Sequence, residues 1–204
     1  MLAGVRYILA DGLIGRAALS SVVYGFALRI LFASLPVLAF VRFERNPLVA
    51  GSLAAVWGAG AVAGSLLAYP LVTRIQPMRL GAVASIALAL PLWLLVPELP
   101  LVAAGVALFV AAGAIPLMNA PYLTMLSTRV SAPLRGPVLQ SIITINSLAG
   151  PLGYVVAGPL FDRAGLHAAY FLVAILATLA AVNFVTALSA AGMLRRQAAS
   201  EAVA

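Results

Sequence analysis

Residues 101–126 read LVAAGVALFVAAGAIPLMNAPYLTML, a long run without a single charged side chain. At about 1.5 Å of rise per residue, a helix of this length crosses the roughly 30 Å hydrocarbon core of a bilayer. The run is continuously apolar, and it lacks the alternating segments of about ten residues that mark a membrane β-strand. Five runs of the same character accompany it, over residues 18–41, 48–72, 80–96, 138–160 and 168–194. The expectation is an all-α membrane protein of six transmembrane helices. A lead-in over residues 1–17 precedes the helical domain of residues 18–194, and a tail over residues 195–204 follows it.

Composition points the same way. The chain is 64% hydrophobic and 8% charged, with a mean hydropathy of +1.13, whereas a soluble domain carries about 25% charged residues. A globule of this size could not hide so much apolar surface, so its main solvent is lipid. All twelve basic residues are Arg, and the net charge is +7. Nucleic acid is nonetheless excluded as a partner, because the Arg residues form no basic stripe and have no interleaved aromatic platform. With no Cys and a single His, His167, disulfides, thiol catalysis and a His-rich metal site are excluded too. No cofactor is expected.

The Arg residues instead report topology. Arg6, Arg16, Arg74, Arg79, Arg129, Arg135, Arg195 and Arg196 fall at one side of the membrane, while Arg42, Arg45 and Arg163 fall at the other with Glu44, Glu98 and Asp162. The positive-inside rule then places both termini in the cytoplasm of a multi-pass protein of the bacterial inner membrane. The opening segment has no signal-peptide pattern and is expected to remain. It spaces Val5, Leu9 and Leu13 four apart, as in a helix lying on the membrane surface, or it is a plain polar lead-in.

Two helix ends are alike. Residues 64–74 read GSLLAYPLVTR and residues 153–163 read GYVVAGPLFDR, aligning Gly64 with Gly153, Ala68 with Ala157, Pro70 with Pro159 and Arg74 with Arg163. The helices concerned are three spans apart and so run in opposite directions. This predicts two inverted three-helix repeats, an arrangement found in secondary transporters. Gly60 and Gly64 also form a GxxxG pair that lets helix backbones approach closely.

Polar residues within the spans are the candidate solute path. Arg29 lies near the bilayer centre, where it costs about 2.5–3.5 kcal/mol on insertion scales, and it shares a face with Ser21 and Gly25. It either faces a solute path, with Tyr24 nearby, or caps carbonyls and snorkels. Gln140, Thr144 and Ser147 lie at helical spacing on one stripe with Pro151, while Asn146 and Ser141 lie beside it. That stripe is either interhelical glue or path lining. Asn119 and Tyr122 sit one turn apart beside Pro116 and Pro121. Asp11, Glu44, Glu98, Asp162 and Glu201 all fall outside the spans, so no embedded carboxylate is available here to carry a proton.

The stretch SAPLRGPVLQSIITINSLAGPLG from Ser131, continuing through AGPLGYVVAGPLFDRAG to Gly165, resembles the second half of the bacterial drug and siderophore exporters of the major facilitator superfamily. VRYILADGLIGRAAL resembles the segment leading into that half, so the resemblance runs over nearly the whole chain. It implies that Arg135 and Gly136 belong to a cytoplasmic loop motif, and that Gly150, Pro151, Gly158, Asp162 and Arg163 belong to a Gly/Pro-rich helix end used in packing or gating. The loop TRIQPMRL keeps Arg74 and Arg79 but lacks the acidic residue of the family's gating signature. The resemblance further implies a solute bound between two six-helix halves, and hence efflux with a separate N-terminal half or with a second copy of this chain. The alternatives are a six-helix substrate-binding subunit of a vitamin or metal importer, and a non-transporting truncated fragment. An intramembrane protease is disfavoured because no Ser has a base facing it.

Overall fold

The computed structural model describes residues 2–97 and 99–201, with the side chains of residues 120, 121 and 191–201 set aside. Glu98, Arg195, Arg196, Glu201 and Pro121, all used above, therefore lie outside the described side chains. The elements are α1 (Leu2–Ala10), α2 (Gly12–Arg42), α3 (Pro47–Arg74), α4 (Pro77–Ala89) extended by a 3-10 segment (Leu90–Leu95), α5 (Leu101–Arg129) and α6 (Ala132–Glu201).

Five stretches are long and apolar enough to cross a membrane, and the last of them, Ala132–Ala190, has 59 residues. Unbroken, it would reach about 90 Å, some three times the hydrocarbon thickness. Gly165 breaks it, with φ 75° and ψ 178°, a backbone state that essentially only glycine holds without strain. α6 is thus two antiparallel arms, and the bundle has six spanning helices.

The first span begins earlier than the sequence suggested. Asp11 accepts hydrogen bonds from the backbone N–H groups of Leu13 and Ile14, each at 3.0 Å, and this N-cap starts α2 at Gly12 rather than at residue 18. Nor does α1 bury the Val5–Leu9–Leu13 row as a unit, since Leu9 is 81% exposed. Its buried residues are Gly4 and Ile8. A Cβ on Gly4 would strike the Pro137 carbonyl, so α1 packs on the start of α6. The Tyr7 hydroxyl ties it to the Arg129 carbonyl at 3.0 Å.

α2 is the centre of the bundle. Ala27, Ile30 and Leu31 are fully buried against Leu88 and Leu92 of the third span and Ala169, Val173 and Ala177 of the second α6 arm. Small residues let these helices close up. A polar cluster adds to this at the arginine-rich end, where Arg16 donates to Asn183 Oδ1 at 2.9 Å and Asn183 donates to Ser20 Oγ at 2.9 Å. α3 packs mainly on α5 through its glycines. A Cβ on Gly60 would overlap the Phe109 carbonyl, and one on Gly64 the Gly113 carbonyl. Away from that seam α3 is open, and only 11% of its apolar window is buried.

Candidate solute cavity between α2, α5 and α6

Three helices converge on a cavity of about 260 Å³. α2 supplies Ser20, Ser21 and Tyr24, α5 supplies Met118, Asn119, Tyr122 and Leu123, and the first arm of α6 supplies Leu139, Ile142, Ile143 and Asn146. Phe184 closes it from the second arm. The volume is slightly below the usual range for drug-sized pockets, and a mainly apolar wall with few convergent polar groups is the common pattern.

The polar groups differ in what they offer a solute. Tyr24 is buried and its hydroxyl donates to the Ser85 carbonyl at 3.0 Å, so it fixes α2 to α4 and presents its ring. Ser21 accepts a hydrogen bond from Asn146 Nδ2 at 2.8 Å. The other end of that amide, Asn146 Oδ1, is buried without a hydrogen-bond partner among the described residues, and so is the hydroxyl of Tyr122. Buried polar atoms are nearly always paired, and leaving one unpaired costs about 1–3 kcal/mol. Two in one cavity wall leave an acceptor and a donor for a solute to meet. Asn119 is exposed beside them.

Four expected path residues lie elsewhere. Arg29 is exposed two turns along α2 from Ser21, with no hydrogen bond or ion pair to any described residue, and its side chain lies over the bare backbone of α6. A Cβ on Gly153 would come within 2.7 Å of Arg29 Cβ and 2.8 Å of the Phe26 carbonyl, and one on Gly150 within 3.4 Å of Arg29 Nε. Gln140 and Ser147 are exposed and Thr144 half-buried, on a face of α6 turned away from the cavity. That stripe runs on through Pro151, Gly158 and Asp162, all exposed. Asn146, placed beside the stripe by sequence reasoning, is the polar α6 residue that lines the cavity. Its signal was the 142–146 spacing on the buried face with Val138 and Ile142.

The remaining residues sit at the helix ends. Arg74 and Arg79 are exposed around the α3–α4 turn, and Arg163 is exposed beside Asp162. Arg135 donates through Nε to the Val130 carbonyl at 2.9 Å, closing the C-terminal end of α5. Gly136 has open space around it.

No family model matches the chain, and no solved structure matches it. Among curated proteins it is 32% identical over 131 residues to the multidrug efflux pump Tap of Mycobacterium tuberculosis (strain ATCC 25618 / H37Rv), covering 61% of this chain and 29% of the relative. The same protein of Mycobacterium bovis (strain ATCC BAA-935 / AF2122/97) matches to the same extent. The Tap protein of Mycolicibacterium fortuitum is 34% identical over 109 residues, covering 51% of this chain and 26% of the relative. The matched region thus spans under a third of the length of these relatives. Among the described residues no group of three His, Asp or Glu side chains gathers to hold a metal. The chain is a multi-pass α-helical membrane protein related, over 61% of its length, to the mycobacterial multidrug efflux pumps named Tap.

Proposed function

We propose that this chain is one six-helix half of a secondary transporter of the major facilitator type, built as two inverted three-helix repeats and working in the efflux of small, largely apolar solutes. The observation that carries this reading is the equivalence of α3 and the first arm of α6. At the offset that aligns Gly64 with Gly153, both glycines lie at a close approach of their helix to a neighbour, Gly64 at the Gly113 carbonyl of α5 and Gly153 at Arg29 Cβ and the Phe26 carbonyl of α2. The first helix of each repeat is therefore crossed by the second helix of the other. At the same offset, exposed Gly51, Ala55, Gly58 and Val62 of α3 match Gln140, Thr144, Ser147 and Pro151 of α6. Two related faces of small and polar residues are left without a neighbour, and a polar face is poorly suited to lipid.

A second six-helix unit laid on those faces would cover them and enclose the exposed Arg29, whose positive charge then meets solute or partner instead of lipid. The partner is a separately made first half or a second copy of this chain. The Arg-rich end faces the cytoplasm by the positive-inside rule, in the inner membrane of a bacterium. The solute lies between the halves, against Ser21, Asn119, Tyr122 and Asn146. Reconstitution in liposomes tests this. The lone monomer is expected to leave ethidium gradients unchanged, and co-assembly with a first half or enforced dimerisation is expected to restore transport that Arg29→Ala weakens. Transport by the lone monomer would overturn the reading.

A further inference from the structure

A second cavity, of about 370 Å³, opens at the arginine-rich end of the bundle. It shares two residues, Tyr122 and Phe184, with the cavity described above. Its body is apolar and adaptable, formed by Leu13, Met78, Met125 and Leu188. Methionine suits a site that accepts varied shapes, because its thioether is flexible and polarizable. Its polar lining includes Arg129, whose nearest acid, Asp11, stands off at 3.9 Å. That separation is too long for a hydrogen bond, and the other oxygen of Asp11 already caps α2. At the boundary with the first cavity the buried Tyr122 hydroxyl has no partner among the described residues.

We propose that this cavity is a binding site for an amphipathic organic anion, whose carboxylate or sulfonate pairs with Arg129 while its apolar body lies among the methionines and leucines. The Tyr122 hydroxyl is the hydrogen-bonding group at the inner end. The Tyr7 hydroxyl holds the Arg129 backbone carbonyl at 3.0 Å, which anchors this end of α5 beside the cavity. Two shared residues make the site a vestibule to the solute cavity. That use rests on the transport reading, whereas the binding does not.

The test is photolabelling of the purified full chain in phosphatidylcholine nanodiscs with a palmitic acid carrying a diazirine. Adducts mapped by mass spectrometry are expected to concentrate on residues 122–129 and 184–188 and to be displaced by unlabelled palmitate. Arg129→Gln should lower this labelling about tenfold, the size of one charge-assisted hydrogen bond. Met125→Trp, which fills the cavity, should lower it similarly and serves if Arg129→Gln fails to fold. A diazirine phosphatidylcholine should label α3 and spare these segments. Adducts spread evenly over exposed faces, indifference to both variants, or equal labelling by the phospholipid would each overturn the proposal. Because binding is read without transport, an inactive reconstituted chain leaves this result standing.

Discussion

The first arm of α6 has two faces of contrasting chemistry. Its inner face, with Val138, Ile142, Gly150, Gly153 and Ala157 buried, is apolar and small, and its one long polar side chain, Asn146, reaches a cavity wall. Its outer face carries the exposed Gln140, Ser147 and Asp162 and the half-buried Thr144. Within one helix, polarity therefore does not mark the inside of this bundle. Close backbone approach marks it, at Gly153 for instance, and small residues permit that approach in the absence of a hydrophobic driving force.

Substitution of the glycines should break this contrast most visibly. Gly153→Leu drives a side chain into the Phe26 backbone, which cannot yield as a flexible side chain would. Overpacking of this kind costs about 1–3 kcal/mol or more, so the melting temperature and folded yield of the purified chain should fall steeply. Gly158→Leu meets open space and should melt as the parent does, while losing association with a partner half. Equal melting of the two would erase the distinction between the faces.

Polar substitutions should sharpen the same contrast at a smaller scale. Asn146→Leu removes the hydrogen bond to Ser21, worth about 1 kcal/mol, and strips the cavity of its free acceptor. On the proposed reading, ethidium efflux by the reconstituted assembly should fall several-fold. Gln140→Leu should leave the folded chain unharmed, as a thermal melt would report, and affect only assembly. The smallest effect belongs to the start of α2. Asp11→Ala should cost about 1 kcal/mol by loss of the cap, whereas Asp11→Asn, which still caps, should melt within a few tenths of a kcal/mol of the parent because the 3.9 Å pairing with Arg129 contributes little.

The architecture was largely legible from run length and from one glycine. Length alone separates the helices, and Gly165, between Arg163 and His167, falls where the apolar pattern of α6 pauses. The N-terminus was less legible. Asp11 followed by an apolar periodic run is an N-cap signal, but reading the opening as a surface helix hid it, and α2 began six residues early. The cavity lining was half legible, since Ser21, Asn119 and Tyr122 stood out as polar groups within apolar runs, and all three line the cavity, as does Tyr24. Gln140 and Ser147 do not line this cavity, and sequence could not have told them from the residues that do. A polar stripe in a membrane helix says only that lipid is a poor neighbour, and both a solute path and a protein partner satisfy that condition.

α3 has a consequence for the life of the protein in a cell. A helix with only 11% of its apolar window buried, lined outward by Gly51, Ala55, Gly58 and Ser65, is held to its own chain by the seam with α5 and a smaller contact with α2 at Phe32 and Trp57. Proteases and chaperones triage proteins by the population of their loosened states, and this helix is the one least secured against such sampling. If a second unit covers α3 as proposed, the abundance of the chain should follow the supply of that unit, and its synthesis would set how much of the chain the membrane retains.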